Sequence, residues 1–305
     1  MRHLIEKMFF SPKWYHYPII VLLLPLSLVY GIMMSIRRKI TKNISYGLPI
    51  ISVGNLIVGG SGKTPFVIAV ASRYKNVVVI SRGYGRQSSG LVEVSRWGEI
   101  VTDVYASGDE AMLMAQALAN ASVIVSEDRH KAILKAKTMG AEMIILDDAF
   151  SNVSIQKFDI LLEPDKILNY YTFPSGPHRE FISTRKYADI VVKEKRDFHR
   201  KVSIENTTSQ MVLVTAISNP KRLEDFLPHE NIVHKVYYDD HAYFDENTLA
   251  NLLKTHQARS LLCTSKDKVK MQGFKLPISE MKLELEIAKE IYTQIDKYIE
   301  GYKRA

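Results

Sequence analysis

Gly59, Gly60, Ser61, Gly62, Lys63 and Thr64 lie between an apolar stretch at residues 50–53 and a helix-forming stretch at 66–73. Strand, glycine loop and helix in that order make a phosphate cradle. Backbone N–H groups unobstructed by a Cβ can close on phosphate oxygens at the start of the helix. In such a loop Lys63 reaches the β- and γ-phosphates of a nucleotide and the Thr64 hydroxyl holds Mg2+. The first glycine of the pattern G-x-x-x-x-G-K-[ST] falls at Ile57, so the glycines here are displaced toward the C-terminal half of the loop.

Carboxylates and arginines stand where a phosphate enzyme would use them. Four apolar residues at 143–146 run into Asp147 and Asp148, as in a buried strand that carries a carboxylate to a metal; a plain strand ending in an Asp turn has the same pattern. Gly108, Asp109 and Glu110 open a helix whose apolar face includes Met112, Leu113 and Ala115. Asp at that position caps helices, but beside a triphosphate the pair also suits a general base and a metal contact. A hydroxyl attacking phosphorus needs a proton acceptor within about 3 Å.

Arg82, in Ser81-Arg82-Gly83-Tyr84-Gly85, and Arg129, after Ser126-Glu127-Asp128, each follow a strand. They project at the sheet edge where open α/β sheets bind ligands and could neutralise charge on a transferring phosphoryl group. Arg179 lies in the rigid loop Pro174-Ser175-Gly176-Pro177-His178-Arg179-Glu180 and could grip a phosphate. His241 follows Asp239-Asp240. It tunes or relays a proton only if the fold brings it to Asp109.

The elements that must position these residues alternate. Strands are expected at 50–53, 77–80, 123–125, 143–146, 159–162 and 190–192, and helices at 64–73, 109–119 and 129–138. Such βα alternation predicts a mainly parallel sheet covered by helices. Segments 91–94 and 100–104, joined around Trp97-Gly98, read as a hairpin. The polar stretch 203–210 marks a boundary. Beyond it come strands at 211–214, 232–237 and 261–264, helices at 221–226 and 246–254, and a closing helix at 287–302. The expected division is residues 1–40, 41–202 and 203–305.

At 305 residues, 46% hydrophobic and 24% charged, the chain describes a folded protein. Its single cysteine, Cys263, excludes an internal disulfide and suits a reducing compartment. The net charge of +8 calls for an anionic partner. No long basic run with interleaved aromatics lies outside the N-terminal region, which argues against nucleic acid. Residues 18–36 carry no charge, and about 20 apolar residues cross a bilayer core. Trp14, Tyr15 and Tyr17 flank the stretch on one side; Arg37, Arg38 and Lys39 on the other favour a cytoplasmic C-terminal side. Arg2, Lys7 and Lys13 blur that asymmetry, and Pro25 and Gly31 interrupt the helix. A membrane anchor, spanning or interfacial, and a buried or oligomerising helix both remain open; no small-residue cleavage site follows.

Taken in order, these segments resemble the tetraacyldisaccharide 4′-kinase family, the lipid A 4′-kinases of the Gram-negative inner membrane. The matching pieces are Val53-Gly54-Asn55-Leu56 with Val58-Gly59-Gly60-Ser61-Gly62-Lys63-Thr64-Pro65, then Ser81-Arg82-Gly83-Tyr84-Gly85 and Gly108-Asp109-Glu110. Leu146-Asp147-Asp148, Gly176 with Arg179-Glu180, Asn219-Pro220, Asp240-His241 and Lys266-Asp267 complete the set. The resemblance implies a P-loop NTPase-like α/β domain with a mainly parallel sheet, a second, smaller α/β domain and an N-terminal membrane-associated helix. It also implies a nucleotide site between the domains.

By the same resemblance Val58, Gly59, Gly60, Ser61, Gly62, Lys63 and Thr64 hold ATP, and Thr64, Glu110, Asp147 and Asp148 hold Mg2+. Asp109 is the catalytic base, supported by His241, with Lys63 and Arg82 also catalytic. Arg129, Asn152 and Arg179 contact substrate. The implied partners are a lipid disaccharide 1-phosphate and inner-membrane lipids at the cytoplasmic face, with the chain a monomer and no nucleic acid bound. Four positions depart from the family's pattern: Ser151-Asn152 where Gln-His is usual, His178 for a leucine, and Ser265 for a glutamate. A membrane-attached regulatory NTPase, with the Arg82 loop as its switch, is the rival reading.

Overall fold

The β-branched run at the head of the glycine loop forms a strand buried along its whole length, as a strand covered on both faces should be. The computed structural model describes residues 2–59 and 62–303. In chain order its strands are β1 (Ile50–Gly54), β2 (Val77–Ser81), β3 (Val92–Arg96), β4 (Glu99–Ile100), β5 (Ser122–Val125), β6 (Met143–Asp147) and β7 (Phe158–Glu163). They continue as β8 (Ile190–Lys193), β9 (Phe198–Glu205), β10 (Met211–Thr215), β11 (Ile232–Tyr237), β12 (Ser260–Thr264) and β13 (Ile278–Ile287). The helices are α1 (Arg2–Phe10), α2 (Tyr17–Ile40), α3 (Lys63–Ala71), α4 (Val104–Ser107), α5 (Asp109–Ala117), α6 (Arg129–Thr138), α7 (Glu246–Thr255), α8 (Ser265–Lys268) and α9 (Lys289–Lys303). The two units drawn from this chain are Met1–Lys63 with Glu142–His199 and Ile287–Ala305, and Thr64–Ala141 with Arg200–Glu286.

In the first unit β1 pairs in parallel with β6 on one side and β7 on the other, and β8 adds in parallel beyond β7. Register sets Val53 beside Asp147, so the strand end that leads into the glycine loop lies beside the strand end that carries the aspartate pair. Gly54 has no room for a side chain. A Cβ there would come within 2.6 Å of Phe150 Cβ and 2.9 Å of its backbone nitrogen. On α9, Tyr298 donates to Ile50 O at 3.1 Å and packs on Phe158.

Helix α2 is the N-terminal apolar element. Residues Trp14–Ile40 contain a helix long and apolar enough to cross a membrane. Its Val21, Leu22, Leu26, Leu28, Val29, Ile32, Met33 and Ile36 are exposed, whereas Ile20, Ser27 and Gly31 are buried. That buried stripe rests on the 169–181 loop. Ser175 N donates to Ser27 Oγ at 2.9 Å, Thr172 Oγ1 to Ser27 O at 2.8 Å and Ser175 Oγ to Ile20 O at 3.0 Å. A Cβ on Gly31 would fall 2.3 Å from Phe181 Cζ, so glycine is what lets the loop approach. Arg37 and Lys39 are exposed, while Arg38 turns inward.

In the second unit β2 and β5 pair in parallel, and β3 joins β5 antiparallel with β4 beyond it. A five-stranded sheet in the order β11-β10-β12-β13-β9 is also here. Its β10–β11, β10–β12 and β12–β13 pairs are parallel. One face is sealed by Val212, Val214, Leu249, Leu253, Leu261 and Met271. Strands β10, β11 and β12 stand where strands were expected beyond residue 210, and β9, which precedes it, joins the same sheet.

Three local expectations change. The strand expected at 100–104 is only Glu99–Ile100, because Asp103 accepts from Ala106 N at 2.8 Å and starts α4 instead. Pro220–Phe226 is a 3₁₀ turn, not an α-helix. Strands β9 and β13 form where no strand was expected.

Candidate active site

The glycine loop leaves β1 through Asn55, which is buried. Gly59 and Gly62 both have positive φ, at 97° and 78°, a region that side chains other than glycine disfavour. Gly60 and Ser61 lie outside the described residues. Val58 N donates to Pro177 O at 2.9 Å, so that amide closes the loop onto the 174–180 segment. At the first turn of α3, Lys63 Nζ donates to Asn55 Oδ1 at 3.1 Å and lies 3.7 Å from Asp148 Oδ1. Thr64 follows it in the same turn, half-buried.

The aspartate pair splits by role. Asp147 is the last residue of β6 and only 3% exposed. Asp148 steps out of the strand with φ at +50°, a strained setting for a residue with a Cβ that must be held by its surroundings. Its N–H donates to Val53 O at 2.9 Å, and Arg179 Nη1 lies 2.9 and 3.0 Å from its two carboxylate oxygens. Arg179 N in turn donates to Leu56 O at 2.7 Å. Asn152, half-buried, closes the following turn with N–H to Ala149 O at 2.9 Å.

The second unit holds a different cluster. Gly108 has φ at +82°, and a Cβ on it would fall 2.8 Å from Tyr84 O. It lets α5 begin against the Arg82–Gly85 loop with Asp109 as its first residue. His241 Nδ1 lies 2.9 and 3.0 Å from the Asp109 oxygens. Lys266 Nζ and Lys270 Nζ are each 3.8 Å away. Burial pushes the Asp109 pKa up, but the His241 hydrogen bond and the charges of Lys266, His241 and Lys270 outweigh it and hold the carboxyl below its ordinary value. The helix N-terminus acts in the same direction.

His241 itself sits at φ +64°. Its N–H donates to Ala216 O at 3.0 Å, and Tyr84 packs 5.0 Å from its ring. Buried Asp267 steadies that backbone by accepting from Ala216 N at 3.0 Å, Thr215 Oγ1 at 2.6 Å and Thr264 Oγ1 at 2.7 Å, with Lys270 Nζ 3.1 Å away. Glu110 pairs with Lys266 at 3.0 Å. Burial lowers the Lys266 pKa, yet Glu110 and Asp109 together raise it above its ordinary value. Arg82 is exposed at the end of β2. Arg129 is buried at the head of α6, its Nη1 donating to Ser126 O at 2.9 Å.

The structure therefore brings Lys63, Asp148 and Arg179 together in one cluster and Asp109, Glu110 and His241 in another. Reading the residues one by one missed Asn55 as the partner of Lys63, and Lys266 and Lys270 as the cations facing Asp109. Lys266-Asp267 and Asn55 stood only as family signature positions. A buried lysine has no periodic mark that separates it from a surface one.

Parallel α/β sheets with a lysine-bearing glycine loop handle phosphates, and a carboxylate kept ionised by an imidazole suits proton removal from a hydroxyl. The class these features define is that of α/β phosphotransferases. The chain belongs to the tetraacyldisaccharide-1-P 4′-kinase family, LpxK, whose model matches residues 19–300. It is 47% identical over 300 residues to a tetraacyldisaccharide 4′-kinase of Helicobacter pylori strain J99, covering 98% of this chain and 95% of the relative. A relative of the same name from Aliarcobacter butzleri is 44% identical over 308 residues, covering 98% of each. Among solved structures, the chain resembles the crystal structure of an "apo" form of LpxK from Aquifex aeolicus in complex with ATP. The TM-score is 0.79 at 26% identity, covering 93% of this chain and 99% of that one.

Proposed function

We propose that this chain is the kinase that transfers the γ-phosphoryl group of ATP to the 4′-hydroxyl of a tetraacylated glucosamine disaccharide 1-phosphate, giving lipid IVA in lipid A biosynthesis. The family and its relatives' names support the kinase reading. The observation that carries the chemistry is the buried Asp109 carboxylate with His241 Nδ1 at 2.9 Å. Held ionised, Asp109 accepts the 4′-hydroxyl proton as the hydroxyl oxygen bonds to the γ-phosphorus and the bond to the bridging oxygen breaks, releasing ADP. His241 orients the carboxylate and tunes its basicity. Lys63, at the start of α3, offsets charge on the β- and γ-phosphates, with Arg82 and Arg179 supplying further positive charge to phosphate groups. Arg129 and Asn152 are assigned to the substrate side, the first as a buried support of the strand end.

Mg2+ prefers hard oxygen donors and takes one or two carboxylates together with phosphate oxygens. Asp147, at the buried end of β6, the Thr64 hydroxyl, Asp148, which also meets Arg179, and Glu110, which also meets Lys266, all offer such oxygens. When bound, the ion would neutralise charge on the β- and γ-phosphates.

The acceptor's acyl chains hold it in the bilayer at ~0.8 kcal/mol per buried CH₂, so the enzyme must work at the membrane surface. The exposed apolar face of α2, with Trp14, Tyr15 and Tyr17 beside it, supplies that contact on the cytoplasmic face of the inner membrane. The test is incubation with Mg-ATP and the lipid disaccharide monophosphate, with mass spectrometry for one added phosphate. ATP hydrolysis at the same rate with and without acceptor, and no phosphorylated lipid, would replace this reading with a regulatory NTPase.

A further inference from the structure

Among the three basic residues that close α2, Arg38 has a different environment from its neighbours. Its guanidinium forks onto Glu180, Nε to Oε2 at 2.9 Å and Nη2 to Oε1 at 3.0 Å. Nη2 also reaches the Phe150 carbonyl at 3.3 Å. The two side chains are only 9% and 2% exposed. The guanidinium lies over the Phe150 ring, 4.7 Å from its centre, with Tyr187 at 5.3 Å on another side. Ser151 Oγ donates a further 2.6 Å hydrogen bond to Glu180 Oε1.

This buried fork joins three pieces of chain: the last turn of α2, the turn after Asp148, and the residue after Arg179. The last two are the segments whose side chains meet in the Asp148–Arg179 pair. Asp148 holds a left-handed backbone conformation, which persists only where the surroundings over-determine it. Phe150 O and Ser151 Oγ pin the turn two and three residues downstream, and Glu180 pins the loop one residue past Arg179. A fork of parallel N–H donors fixes orientation as well as distance.

We propose that Arg38 is a positioning residue: through Glu180 it locks the Asp148 turn and Arg179 into register, so that the seated apolar helix is part of the catalytic unit as well as its tether. The proposal rests on the kinase reading above. Arg38 acts on the transfer step through Glu180 and not on lipid headgroups, although its place beside Arg37 and Lys39 suggests the latter.

Removing one partner alone strands a buried charge and can unfold the chain, whereas removing both restores stability without restoring the lock. The test therefore uses the full-length chain with Arg38→Lys, Arg38→Met, Ser151→Ala and the double variant Arg38→Met/Glu180→Leu. Rates are measured with lipid acceptor and Mg-ATP, and binding with phosphatidylethanolamine–phosphatidylglycerol vesicles. Expected in the double variant is a kcat lower by about tenfold or more, since small misplacements of reacting groups cost that much. Its KM for acceptor and its vesicle binding should stay within about twofold and its melting temperature near the parent's, with Arg38→Lys between parent and double variant.

Hydrogen exchange of peptides covering residues 147–152 should accelerate in the double variant, a readout independent of turnover. Unchanged kcat with weakened vesicle binding would overturn the proposal and return Arg38 to the membrane surface. Unchanged exchange at 147–152 would overturn it as well. A parent chain that phosphorylates no lipid would sink the kinase reading alone, and the exchange result would still decide the coupling.

Discussion

Replacing Asp109 by asparagine removes the proposed base with almost no change in shape. The amide oxygen can still accept from His241 Nδ1, now 2.9 Å from the carboxylate, but it cannot take a proton. Lys266 keeps Glu110 at 3.0 Å and Lys270 keeps Asp267 at 3.1 Å, so both neighbouring cations retain a carboxylate and the fold should survive. A positioned general base contributes roughly 10²–10⁴ in rate, which corresponds to about 3–5 kcal/mol of barrier. The Asp109→Asn enzyme should therefore lose about 10²–10⁴ in kcat while its circular dichroism and its ATP affinity stay near the parent's.

The pH profile gives a second handle on the same group. Asp109 is held below its ordinary pKa, so it is more fully ionised than a free carboxyl at the same pH. The acid limb of kcat/KM should lie correspondingly low. His241→Gln removes the imidazole and loosens the hydrogen bond that holds the carboxylate ionised, and the limb should move to higher pH. The assay is initial-rate phosphorylation of detergent-dispersed acceptor, read by mass spectrometry across the acid range. An Asp109→Asn enzyme keeping about a third of parental kcat would refute the role. So would a His241→Gln profile lying on the parent's.

Three further outcomes follow from single contacts. Lys63→Met deletes the ammonium at the head of α3, and loss of a charge-assisted bond worth about 1.5–3 kcal/mol should weaken ATP binding roughly 10- to 150-fold by calorimetry. Gly54→Val drives a side chain into Phe150, whose Cβ would already be 2.6 Å from a Cβ at position 54. Overpacking of that kind costs roughly 1–3 kcal/mol in urea unfolding, and activity should fall with it because Phe150 belongs to the Asp148 turn. Asp159, buried in β7 beside Lys157 at 3.0 Å, is pushed by burial from 3.8 up to about 6. Its folded pKa lies above its unfolded one, so its contribution to stability is full below pH 3.8 and is lost as pH rises through about 6. That contribution is worth ~3 kcal/mol. Urea midpoints of the parent should drop across that window, and those of Asp159→Asn should drop much less.

Much of the fold could be read locally. The fully buried strands β1, β2 and β6 are short apolar runs, and α6 and α7 start at Asp128 and Asp245, whose side chains cap them. The misses have equally local causes. Residues 281–287 alternate apolar and charged with the period of a half-buried strand, yet they abut a strongly amphipathic helix whose pattern dominates the window. Segment 100–104 has strand-like residues, but Asp103 satisfies an orphan amide of a helix start and decides the matter.

The site divides along the same line. The sequence by itself determined the kinds of chemistry on offer: a glycine loop with Lys63 and Thr64, carboxylates at the ends of strands and helices, arginines after strands, and the family to which these belong. It determined the apolar helix too, because composition over a long window needs no partner to be legible. Only the tertiary structure decided which side chains meet. Asp109 and His241 are 132 residues apart, and Arg38 and Glu180 are 142 apart. No periodicity links residues at such separations, since their contact depends on the path of the chain between them. Burial then gives each charge its effect: the same lysine or arginine is a solvated surface group in one place and, with water excluded, the setting for a carboxylate in another.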